Sequence, residues 1–113
     1  MSDEFALLID GSIRAQAARL AAVEAQLTSI RDARGAATAD DEHDPEGATL
    51  ATEWSRAEGQ RADALRELGE LDAARARLAA GTYGACRGCG RRIPAERLRL
   101  LPAASLCVPC ADR

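Results

Sequence analysis

The chain has 113 residues, enough for one compact domain, and only Phe5, Trp54 and Tyr83 are aromatic, which argues against a large globular core. Its net charge of −3 hides a polarity: residues 1–80 carry nine Arg against sixteen acids, whereas residues 81–113 carry six Arg against two acids. A uniformly basic nucleic-acid binder is disfavoured, and no stretch is long and apolar enough to span a membrane. All fifteen basic residues are arginine, which we read as codon bias. The apolar content is mostly Ala and Leu, suited to long helices with a narrow seam.

In chain order, Ser2 is a candidate N-cap, with Asp3 and Glu4 placed to favour the positive end of a helix dipole. Ala6, Ile9, Ile13, Gln16, Leu20, Val23, Leu27 and Ile30 alternate three- and four-residue spacings, a heptad seam. With Gly35 as stop, this predicts a helix of about 32 residues, roughly 48 Å long. Residues 36–44 lose the periodicity and place four acids around His43, which predicts an acidic loop. His43 reads as a solvated loop residue before a ligand. Asp44-Pro45 predicts the restart of helix, with proline at N1 and Glu46 in the first turn. Leu50, Trp54, Ala57, Arg61, Ala64, Leu68, Leu71, Arg75 and Leu78 continue an imperfect heptad to a stop at Gly81, with Trp54 as core packing. Two helices joined by about nine residues are expected to fold back as an antiparallel hairpin with the loop at its tip.

The last segment holds all four cysteines, Cys86, Cys89, Cys107 and Cys110, as two Cys-x-x-Cys pairs with seventeen residues between them. One tight turn aims both thiols of a pair at a shared point, and a hairpin-length return brings the second pair opposite the first. We therefore expect one structural Zn²⁺ with a closed shell and no open position for catalysis, so an enzyme is not expected. Gly88 and Gly90 suit the first turn. Two disulfides, a thioredoxin-like redox pair and unrelated buried thiols compete. Disulfides suit secretion, whereas Met1-Ser2-Asp3-Glu4 is acidic and no apolar signal region follows, which points to a cytoplasmic protein. The redox pair needs a βαβ setting that this chain lacks.

The expected fold is mainly α: a long antiparallel two-helix coiled-coil hairpin over residues 1–80, with an acidic tip near 36–48, and a small four-cysteine zinc-finger module over 81–113. The run Tyr83-Gly84-Ala85-Cys86-Arg87-Gly88-Cys89-Gly90-Arg91-Arg92-Ile93-Pro94-Ala95-Glu96-Arg97-Leu98, with Pro102, Ala103 and Cys107-Val108-Pro109-Cys110, resembles the zinc-finger signature of the DksA/TraR family. The Asp-rich turn between two long helices extends the likeness. The resemblance implies a bacterial transcription regulator that binds RNA polymerase directly, inserts its acidic tip in the secondary channel and alters open-complex stability, without sequence-specific DNA binding.

The family's tip motif fits in two imperfect registers, which make Asp44 the first candidate, Asp41 the second, and Glu46 a neighbour. Leu101 stands where the family member responsive to guanosine tetraphosphate has a basic residue, which puts a response to that nucleotide in question. Arg91, Arg92, Arg97 and Arg99 read equally as an exposed basic face or as partner contacts. Two alternatives stay open: a zinc-ribbon nucleic-acid module, and a thiol-based redox sensor.

Overall fold

A computed structural model describes the backbone of residues 2–36 and 45–113 and the side chains of 3–36 and 49–113. Among them are four helices: α1 (Ser2–Ala36), α2 (Pro45–Ala80), α3 (Ala95–Leu100) and α4 (Val108–Ala111). The mainly helical class expected from the heptads is observed. Among the described residues β pairing is limited to one isolated antiparallel bridge, Ala85 to Arg92.

The chain divides into two compact units, one comprising Met1–Gln16 with Glu67–Arg113, the other Ala17–Arg66. In the second unit Val23, Leu27, Ile30 and Ala57 form a buried cluster, with Leu50 and Trp54 packed against it. Glu24 pairs with Arg61 at 3.3 Å, and the Arg31 guanidinium lies 5.6 Å from the Trp54 ring centroid. Seven residues forward on α1 thus match seven back on α2, so the helices run antiparallel there. The cation over the indole face adds a favourable contact of about 0.5–1 kcal/mol to the burial of Trp54.

In the first unit Ile9 packs with Leu71 and Ala74, and Ile13, Leu78 and Tyr83 close around them. Here too the helices are antiparallel: Phe5 meets Tyr83 at a centroid separation of 5.5 Å, and Asp10 pairs with Arg75 at 2.7 Å. The seam departs from the heptad expectation at this point. Ala74 is fully buried and Arg75 is exposed, because a three-residue step from Leu71 puts the small alanine against the partner helix and leaves the guanidinium free to reach Asp10.

The helix stops illustrate when glycine acts as one. Gly81 has φ +80°, its N–H donates to Leu78 O at 3.3 Å, and the Thr82 N–H donates to Arg77 O at 2.9 Å. These are the two hydrogen bonds of a Schellman cap, which needs a left-handed residue at that place. Gly35 is no stop: α1 runs on to Ala36, and Gly35 is not among the glycines with positive φ. Pro45 is the first residue of α2, as expected of a proline whose missing N–H would have had no helical partner.

Candidate metal centre

Gly84 (φ +88°) turns the chain out of the helical region, and the Ile93 N–H returns to Gly84 O at 2.7 Å while the Cys86 N–H reaches Arg91 O at 2.8 Å. These two bonds and the Ala85–Arg92 bridge make a short ribbon with Cys86 and Cys89 at its end. Gly90 (φ +78°) closes that knuckle by donating to Cys86 O at 2.9 Å. The second pair is placed differently. Cys107 is the residue before α4, Pro109 stands in its first turn, and Cys110 lies one turn further on. The two pairs are tied by backbone, since the Arg87 N–H donates to Ser105 O at 2.9 Å.

The four sulfurs all lie within 4.8 Å of one another. Cys89 Sγ and Cys107 Sγ are 3.7 Å apart, and a tetrahedron with Zn–S bonds of about 2.3 Å has S···S edges of about 3.8 Å. All four thiols are free, so the disulfide reading is not what this fold adopts. The donor set and its spacing fit one Zn²⁺. Four thiolates complete its shell, so the ion supplies a crosslink and no reactive water.

The electrostatics of the cluster point the same way. The Cys107 and Gly88 N–H groups each donate to Cys86 Sγ at 3.3 Å. Led by the Cys107 backbone N–H, these donors hold the Cys86 thiol down at about 6. Hydrogen bonding to the neighbouring sulfurs of Cys107 and Cys86 and burial push Cys110 up to about 12. The Cys86 and Cys110 thiols therefore do not ionise together on their own. A divalent cation reverses that balance, and its binding releases protons.

The thiols do not stand apart from the helices. Cys86 and Cys107 share one buried cluster with Phe5, Ile93 and Leu98, so the first turns of α1 pack on the knuckle. The return segment from α3 to Cys107 is held by side chains: the Tyr83 hydroxyl donates to Pro102 O at 2.8 Å, Arg97 Nε donates to Leu106 O at 3.0 Å, and Arg77 donates to Ala103 O at 3.4 Å. On the outer side Arg99 Nε pairs with Glu4 at 2.7 Å, which lowers the Glu4 carboxyl below its ordinary range and raises Arg99.

Of the arginines singled out in the sequence, Arg91 and Arg92 are exposed and Arg97 is half-buried on its backbone acceptor. Asp41, Asp44 and His43 lie outside the described residues, as does the side chain of Glu46. Phe5, Tyr83 and Arg77 support the centre and were not singled out as doing so. Phe5 and Tyr83, two of only three aromatic residues in the chain, were the available signal; the backbone acceptor of Arg77 had none.

The fold and the four-thiol site define a C4 zinc-finger protein with two long packed helices. Residues 81–113 match the family model described as the prokaryotic dksA/traR C4-type zinc finger. The structure is similar to that of the transcription factor DksA2 from Pseudomonas aeruginosa, with a TM-score of 0.82 and 25% identity over 99% of this chain and 81% of that one. A segment of 48 residues, 42% of this chain, is 42% identical to an uncharacterized protein of Aquifex aeolicus (strain VF5) and covers 33% of it, so the match spans a third of that curated relative. Residues 81–113 are thus similar to the DksA/TraR C4 zinc finger, and the fold is similar to that of DksA2. No helix among the described residues is long and apolar enough to cross a membrane.

Proposed function

We propose that this chain is a bacterial, cytoplasmic transcription regulator that binds RNA polymerase directly, places the acidic segment between α1 and α2 in the secondary channel, and shifts open-complex stability. The observation that carries this reading is the likeness to the transcription factor DksA2 over 99% of the chain, joined to a C4 module of the same family. Asp41, Asp44 and Glu46 are the residues assigned to the tip. Carboxylates there suit a basic channel leading to a site that holds Mg²⁺.

The regulator makes and breaks no bond: its metal shell is closed, and its effect is a difference in binding between two states of the polymerase complex. Leu101, half-exposed and uncharged, offers no cation to a polyphosphate, so the effect is expected without guanosine tetraphosphate. The test is binding of the zinc-loaded chain to core RNA polymerase, followed by the lifetime of open complexes on one promoter. Wild type is expected to bind and change the lifetime severalfold, and Asp41→Asn/Asp44→Asn to bind and change nothing. Failure of the wild-type chain to bind polymerase defeats the reading.

A further inference from the structure

Two clefts of the first unit meet at one side chain. A pocket of about 250 Å³ is walled by Phe5, Leu78, Tyr83 and Leu98 and edged by Arg92. A groove of about 450 Å³ borders the metal centre, lined by Cys89, Cys107 and Cys110, and extends between Arg91, Arg92 and Arg113, with Pro94, Val108 and Pro109 as its apolar wall. Arg92 lines both, so an apolar hollow and a basic groove adjoin at one guanidinium.

The arginines differ from their neighbours in the module. Arg99 is spent on Glu4 and Arg97 on Leu106 O. Arg91 and Arg92, both exposed, are in none of the four ion pairs found among the described residues, and neither is Arg113. A zinc ion with four thiolates carries a formal charge of about −2, which offsets only part of six arginines against Glu96 and Asp112. Val108, at the groove wall, is 49% exposed. Unpaired guanidinium groups beside exposed apolar surface match a ligand that carries carboxylates flanking an apolar side chain.

We propose that these adjoining clefts are a docking surface for an acidic peptide segment of a partner protein, with one aliphatic side chain seated in the pocket of Phe5 and Leu98 and its carboxylates on Arg91 and Arg92. A single-stranded nucleic acid suits the surface less well. Bases need aromatic platforms, and Tyr83, the aromatic at this place besides Phe5, packs tilted at 48° against Phe5 and spends its hydroxyl on Pro102 O. The proposal stands apart from the polymerase reading, because it concerns the isolated chain and leaves the acidic tip untouched.

The test uses the zinc-loaded full chain and a fluorescent peptide of about ten residues, aspartates and glutamates around a single leucine. Anisotropy is expected to show saturable binding that weakens about tenfold in Arg91→Glu/Arg92→Glu and about tenfold when the probe's leucine becomes serine. Zinc content and helicity are measured on the variant, and Arg91→Gln and Arg92→Gln, each expected to weaken binding severalfold, serve if charge reversal disturbs folding. Three results overturn the proposal: no binding by wild type, equal binding by wild type and the variants, or tighter binding of a charge-matched oligonucleotide. Loss of zinc from the variants together with no peptide binding by wild type shows that the arginines serve the thiolate charge alone.

Discussion

Gly88 and Gly90 flank Cys89 and are needed for different reasons. A Cβ built on Gly88 lies 3.0 Å from Cys110 Sγ and 3.2 Å from Cys110 Cβ, while the Gly88 N–H donates to Cys86 Sγ. One backbone thus approaches two ligands, and a methyl group there pushes on a sulfur that the metal holds in place. Gly90 has open space around it and needs only its φ of +78°. Gly88→Ala is therefore expected to weaken zinc affinity about tenfold, through overpacking worth about 1–3 kcal/mol. Gly90→Asn, which tolerates the left-handed region, is expected to leave it within about twofold. Competition with a chromophoric chelator reads both, and equal losses in the two variants refute this division of labour. The Cys-x-x-Cys spacing made the ligands and the need for small residues legible. It did not separate the two glycines, because the contact that matters comes from Cys110, twenty-two residues further along the chain.

At the scale of elements, the heptads place the seam well even where a small residue occupies it, since Ala57 and Ala64 are fully buried, and fail where the spacing assigns it to Arg75. Ile9, Val23, Leu27, Ile30 and Leu71 are buried as the spacing predicts. The periodicity cannot choose between Ala74 and Arg75, since one step of three and one of four are both helical; packing takes the small alanine, and Arg75, left outside, reaches Asp10. Phe5 was no seam residue in the sequence, yet it is 2% exposed in the cluster with Cys86 and Cys107. A contact between residues so far apart in the chain leaves no periodic trace. Leu71 offers the sharper test of the packing. Fully buried on Ile9 and Ala74, Leu71→Ala is expected to cost about 2–5 kcal/mol, whereas Leu65→Ala, 42% exposed, is expected to cost about 0.5 kcal/mol. Denaturant melts of the zinc-loaded variants measure the difference, and similar losses in the two count against this seam.

At the scale of the whole molecule, the metal is expected to govern one unit and spare the other. Cys86 and Cys107 belong to the same buried cluster as Phe5, Ile93 and Leu98, so loss of the cation that crosslinks the four sulfurs loosens a core that also holds the start of α1. The second unit has a cluster of its own, Val23, Leu27, Ile30 and Ala57, that contains no ligand. The chain supplies its own reporter, because its single Trp, Trp54, packs on that second cluster beneath Arg31. Removing zinc with a chelator at 25 °C is expected to speed amide exchange at Cys86, Ile93 and Leu98 by about a hundredfold or more, while Trp54 emission keeps its maximum. The effect follows from which residues share a core with the thiols, so a Trp54 shift at the same chelator concentration would mean that the units melt together. Phe5→Ala gives the converse arm. It removes packing from the thiol cluster without touching a ligand, and is expected to raise the rate of zinc loss to chelator severalfold with Trp54 again unmoved.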